Sequence, residues 1–180
     1  MATYSKTCEY EFPKQSNAEE FANSVTHGIG MLLSATGTIA LLIIALHHGS
    51  PIVQLFATLL YGLSLTAVYA ASTFSHAIQE PRRKHLFRVL DQAVIYCLIA
   101  GTYTPFILMY LPTYWKWLVF AVVWALALFG FFSKAMLKHR IETVAVVNYI
   151  LLGWLPAMAM FYLMPFDCLV WMFVGGCLYT

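Results

Sequence analysis

Charged side chains are scarce in this chain. The 180 residues include 10 Lys and Arg and 8 Asp and Glu, so 10% of the sequence is charged, whereas a typical soluble domain has about 25%. Hydrophobic residues make up 61% and aromatic residues 16% of the sequence. This composition excludes an ordinary soluble enzyme and predicts a protein that crosses a membrane several times.

Two other patterns are missing from the sequence. No segment alternates apolar and polar residues with a period of two, which excludes the strands of a membrane barrel. The four cysteines, Cys8, Cys97, Cys168 and Cys177, show no CxxC or other metal-ligand spacing. We interpret them as apolar filler. The sequence also has no low-complexity stretch, no evident repeat and no loop large enough to form a soluble domain.

Long apolar runs dominate what remains. Five of them are long enough to cross a bilayer as helices, at residues 21–46, 51–78, 89–110, 117–133 and 143–166. A further apolar segment, 168–180, has 13 residues and would reach about 20 Å into a core about 30 Å thick. The expected fold is all-α, a polytopic transmembrane helical bundle that is truncated in or before completion of helix 6.

The basic residues predict the orientation. Nine of the ten Lys and Arg residues lie in the amino-terminal tail and in the loops on the same side of the membrane, and Lys116 alone lies on the other side. Cytoplasmic loops carry such an excess, so we expect residues 1–18 to be a cytoplasmic tail. The net charge of +2 then reflects this topology and contact with anionic lipids, and it does not indicate nucleic-acid binding.

Polar residues gather at the inner ends of helices 2 and 3. At 1.5 Å per residue, His76 lies about 6 Å and Asp91 about 5 Å inside the nearest formal charge. Ser72 and His76 are four residues apart and share a helix face. The short connection 79–87 makes helices 2 and 3 antiparallel neighbours, which brings Asp91 towards His76.

Helix 1 adds a second polar face to this layer. Glu19, Asn23 and His27 are spaced four residues apart and therefore lie on one side of the helix. Because the inner end of helix 1 is at the same membrane surface, we expect a polar pocket that opens to the inside. Ionisable groups at such depth usually have a function.

A metal with an activated water is the chemistry best suited to imidazole, carboxylate and hydroxyl groups in a dry pocket. Zinc polarises a carbonyl and activates water, which suits hydrolysis of a lipid amide or ester. We expect His76 to be a zinc ligand, with Asp91 and Ser72 as catalytic residues. A catalytic zinc usually takes three protein ligands, so this ligand set is incomplete, and the alternative that His76 and Asp91 form a structural hydrogen-bonded pair stays open.

The other histidines carry weaker signals. His27 fits an interhelical hydrogen bond better than metal ligation. His47 and His48 point about 100° apart on a helix at the outer end. His85 and His139 belong to basic inside segments and indicate no site.

Four segments match a known pattern. Residues 19–30, 72–76, 90–96 and 99–106 read EEFANSVTHGIG, STFSH, LDQAVIY and IAGTYTPF. This combination resembles the haemolysin III family, which belongs with the progestin and adipoQ receptors and is akin to the alkaline ceramidases. The resemblance covers residues 19–180, which we expect to be a haemolysin III-like transmembrane domain.

The resemblance implies a seven-helix bundle in a bacterial inner membrane, with its amino terminus in the cytoplasm. It also implies a zinc near the inner face, held by His76 and by an H-x3-H pair on a seventh helix, with Asp91 and Ser72 beside the metal or its water. This chain departs from the pattern, because the 180 residues contain no H-x3-H pair and the seventh helix is expected to be absent.

Three functions compete on this basis. The leading hypothesis is a zinc-site lipid hydrolase-type protein with a cytoplasm-facing pocket and membrane lipids as its partners. The alternative is a pore-forming cytolysin or a non-enzymatic membrane-homeostasis factor, although a pore should be polar along its whole length and these helices are polar mainly at one end. A signalling receptor is disfavoured, because the outside loops offer a protein ligand little surface.

Overall fold

The computed structural model describes residues 15–136, 149–150, 152–154, 158 and 161–179. The helices are α1 (Asn17–His47), α2 (Ile52–Ala77), α3 (Pro81–Tyr110), α4 (Thr113–Met136) and α5 (Phe166–Tyr179). Residues 149, 150, 152–154 and 158 are also helical, and the described residues contain no strand. The all-α prediction is therefore confirmed.

Four helices are long and apolar enough to cross a membrane, namely α1 to α4. Their positions agree with the first four predicted spans, whereas much of the fifth, 143–166, lies outside the described residues. The shorter α5 corresponds to the apolar segment predicted at 168–180. The protein is thus an integral, multi-pass membrane protein with an all-helical bundle.

Local sequence signals define the ends of the first two helices. The Ser16 side chain accepts a hydrogen bond from the Glu19 amide, and the Glu19 carboxylate accepts one from the Ser16 amide, so the two residues form a capping box at the start of α1. After α1 ends, Gly49 adopts a positive φ of 63°, which a residue with a side chain rarely tolerates. The chain then turns, and α2 begins directly after Pro51.

The third helix begins earlier than the sequence predicted. Pro81 occupies its first turn, where a missing amide hydrogen costs nothing, and only residues 78–80 connect it to α2. The basic residues assigned to a loop, Arg82, Arg83, Lys84 and Arg88, therefore belong to the first two turns of α3. The predicted span excluded these residues because hydropathy identifies only the apolar part of a helix and not its polar end.

Packing is sequential, and α3 is the central element. Helix α1 packs on α2, α2 on α3, and α3 on α4. Half of the most apolar window of α3 is buried, against 11–17% for the other three long helices. The apolar core centres on the α3 residues Tyr96, Ala100, Tyr103 and Ile107. The large apolar side chains on the outer helix faces are exposed, as expected for surfaces that meet lipid.

Candidate functional site

The ends of three helices meet at one end of the bundle. These are the start of α1, the end of α2 and the start of α3, as the short connection between α2 and α3 requires. Their polar side chains form a group that we call the polar cluster. It consists of Glu20, His27, Ser72, His76, Lys84, Arg88 and Asp91.

Glu20 is the centre of the outermost layer of the polar cluster. It is only 4% exposed, although it lies in the first turn of α1. Its Oε2 lies 2.8 Å from Nδ1 of His76, and its Oε1 accepts from Nζ of Lys84 at 2.7 Å and from the guanidinium of Arg88 at 2.9 Å. One carboxylate thereby joins three helices.

His76 connects this layer to a deeper one. Its ring stacks on that of His27, with centroids 5.7 Å apart and planes within 9°. Asp91 lies two turns beyond Lys84 on α3, close to Ser72 and Ser75 and to both histidines. The predicted site residues Ser72, His76 and Asp91 are therefore brought together.

The helical faces explain this assembly. Glu20 and His27 are seven residues apart on α1 and therefore lie on one side of that helix. On α3, Arg88 follows Lys84 by four residues and Asp91 follows Arg88 by three, so these three residues also share one side. The four-residue spacing of Glu19, Asn23 and His27 predicts that Glu19 shares the His27 face. Glu19 is instead exposed and caps α1, because seven residues complete almost two turns whereas eight overshoot them.

Glu20 is thus the functional candidate that sequence reasoning missed. In the sequence it is only one of two adjacent acidic residues that precede the first apolar run. Its seven-residue spacing to His27 places both residues on one side of α1, but the sequence does not reveal its pairing with Lys84 and Arg88.

The donor set suits a metal only in part. Imidazole and carboxylate groups are ordinary zinc ligands, and His76 lies beside a carboxylate that could support it. Within the described ranges, however, no group of three or more His, Cys, Asp or Glu side chains is arranged to hold a metal ion. His76 remains the candidate ligand, with an incomplete set around it.

The opposite end of the bundle is less polar. A cleft of about 420 Å³ lies there between α1, α2 and α3, with His48, Gln54, Tyr61 and Pro105 among its lining residues. It is remote from the polar cluster, since His48 follows the far end of α1. The pocket predicted at the polar end stays a prediction.

One buried polar atom beside the polar cluster has no partner. Among the residues that the structure describes, Oε1 of Gln92 is buried without a hydrogen bond. The backbone carbonyl of the same residue accepts a hydrogen bond from the Tyr149 hydroxyl at 2.7 Å. Gln92 follows Asp91 directly on α3.

The similarity of this chain to known proteins identifies its family. A family model described as Haemolysin-III related matches residues 15–180. The chain belongs to this family. It is 41% identical over 141 residues to Hemolysin-3 of Bacillus cereus, covering 78% of this chain and 64% of that protein. It is 37% identical over 141 residues to the Hemolysin-3 homolog of Bacillus subtilis (strain 168), covering 78% of this chain and 66% of that protein.

The chain is also similar, at lower identity, to animal proteins. The monocyte to macrophage differentiation factor of Homo sapiens is 26% identical over 129 residues, which cover 67% of this chain and 52% of that protein. The chain thus aligns with just under two thirds of each Bacillus protein. No solved structure matches it significantly. The resemblance inferred from the sequence motifs is confirmed at the level of the family.

Proposed function

We propose that this haemolysin III-related protein is a zinc-site protein of the lipid hydrolase type, with a pocket that faces the cytoplasm from a bacterial inner membrane. The observation that carries the proposal is the convergence of Ser72, His76 and Asp91 from two helices at one end of the bundle. These side chains lie near one another at a depth where ionisable groups are costly and usually have a function.

Each residue has a distinct role in the proposal. His76 would hold the metal, Asp91 would orient the attacking water or accept its proton, and Ser72 would hold the Asp91 carboxyl group in place. A bound zinc supplies a nucleophilic water near neutral pH and polarises the carbonyl group of a lipid amide or ester. The surrounding apolar helices exclude bulk water, and membrane lipids reach the site from the bilayer.

The test is the zinc content of the full-length protein. We expect bound zinc in the purified wild type and its loss in His76→Ala, because the strongest ligand is removed. His48→Ala is the matched control, since His48 lies at the other end of the bundle and should leave the zinc content unchanged. Equal zinc in the wild type and in His76→Ala would contradict the proposal.

A second candidate function comes from the names of the relatives, because two of them are called hemolysins. In this alternative the protein is a cytolysin or a non-enzymatic factor that changes the membrane. The hydroxyl groups in the middle of α3 disfavour a pore, since those of Thr102 and Thr104 bond to carbonyls of their own helix. Current across a bilayer that persists in His76→Ala would favour this alternative over the hydrolase.

A further inference from the structure

The polar cluster holds a buried carboxylate that the proposed chemistry does not use. Glu20 contacts neither Asp91 nor Ser72 in any hydrogen bond of the described residues, yet both of its oxygens are engaged. It is also not required as a helix cap, because Ser16 and Glu19 already form the capping box of α1. Its burial therefore requires another explanation.

The two oxygens of Glu20 have different partners. Oε1 receives both cations, Lys84 and Arg88, whereas Oε2 lies 2.8 Å from Nδ1 of His76. Lys84 and Arg88 are themselves largely buried, with side chains 18% and 17% exposed. Two cations at this distance stabilise the ionised carboxylate, which can only accept hydrogen bonds.

This arrangement determines the hydrogen position on the neighbouring ring. Since Oε2 is an acceptor, Nδ1 of His76 must donate across the 2.8 Å contact. In a neutral imidazole the other nitrogen then carries a lone pair and no hydrogen. That nitrogen, Nε2, is the atom left to bind a metal or to accept a proton.

We infer that Glu20 is a positioning residue, which fixes His76 as the Nδ1–H tautomer with Nε2 free, and that Lys84 and Arg88 hold Glu20 in place for this purpose. Metal-binding histidines commonly donate their second ring nitrogen to a carboxylate in this way. The consequence for zinc rests on the proposed function, whereas the hydrogen on Nδ1 follows from the contacts of the described residues alone.

The experiment measures the His76 ring directly. The full-length protein is labelled with nitrogen-15 at histidine, stripped of metal and examined by NMR near neutral pH, and the His76 signal is assigned as the one missing from His76→Ala. The wild type is expected to show a single Nδ1–H tautomer. Glu20→Gln should show a mixture of the two tautomers, because the amide can both donate and accept.

Zinc affinity provides the second readout. Loss of a supporting carboxylate typically weakens metal binding about 10- to 100-fold, and we expect this range for Glu20→Gln. Glu19→Gln is the matched control, because it alters the adjacent acidic residue, preserves a capping box and makes no contact with His76. The control should retain both the wild-type tautomer and the wild-type affinity.

The outcomes separate this inference from the proposed function. A wild-type protein that binds no zinc but shows the Nδ1–H tautomer would contradict the zinc proposal and support the positioning role. An Nε2–H tautomer or a doubly protonated ring in the wild type would overturn the positioning role. An unchanged tautomer and affinity in Glu20→Gln would overturn it as well. If Glu20→Gln does not fold, the wild-type tautomer alone decides.

Discussion

The side chain of Gln92 places a buried oxygen, Oε1, where it has no hydrogen-bond partner within the described part of the chain. A buried acceptor without a hydrogen bond costs about 1–3 kcal/mol. We expect Gln92→Met to raise the stability of the purified protein by up to about that amount, because methionine has a similar shape and no acceptor. The measurement is the thermal unfolding midpoint in detergent.

The control for this prediction is Gln79→Met, which changes the same residue type at an exposed position between α2 and α3. It should leave the midpoint unchanged. A lower midpoint in Gln92→Met would mean that the glutamine oxygen binds a water or a lipid group in the native protein, and so would extend the polar cluster towards Tyr149.

The individual residues of the site differ in how far the sequence could predict their positions. The proximity of Ser72, His76 and Asp91 was predictable, because a polar residue within an apolar run is conspicuous. Glu20 was not, because a charge at the end of a run is the ordinary way for a membrane helix to end. Its burial depends on Lys84 and Arg88, more than sixty positions away in the chain, and only tertiary contacts reveal that pairing.

At the scale of elements, α1 and α2 approach closely where Gly62 is buried. A methyl group added there would collide with the Thr38 side chain, whereas one added at Gly37 would meet nothing within 4 Å. Small residues allow membrane helices to pack closely. We expect Gly62→Ala to destabilise the protein by about 1–3 kcal/mol, as overpacking usually does.

Gly37→Ala is the control, and its helix interior should gain up to about 1 kcal/mol from alanine. Both variants would be compared by their unfolding midpoints in the same detergent. Equal shifts would show that α1 can move away from α2 without cost, contrary to the close packing seen at Gly62.

The helices themselves were largely predictable. The sequence predicted spans at 51–78 and 117–133, and the structure has α2 at Ile52–Ala77 and α4 at Thr113–Met136. The larger discrepancy is at α3, which begins eight residues before the predicted span because its first two turns are basic. Apolar length therefore predicts the part of a helix that lies in lipid, and the polar turns require knowledge of their neighbours.

At the scale of the whole molecule, the distribution of Lys and Arg predicts a cytoplasmic amino terminus. The polar cluster and the connection 78–80 should then face the cytoplasm, and the α3–α4 connection should face outward. In a variant without native cysteines, Tyr114→Cys is expected to react with a membrane-impermeant maleimide on intact cells, since Tyr114 is 92% exposed. Gln79→Cys should react only after the membrane is permeabilised, and the reverse pattern would contradict this orientation.

The ion pairs of Glu20 have a consequence for biogenesis. The Glu20 carboxylate on α1 has two cationic partners on α3, so it has no ion-pair partner of this kind until α3 emerges from the ribosome. Glu20 would then remain in the hydrated interface while α1 and α2 insert. The ion pairs of Glu20 with Lys84 and Arg88 form only when α3 arrives, and a chain arrested before Lys84 would leave the carboxylate and the His76 ring accessible to water.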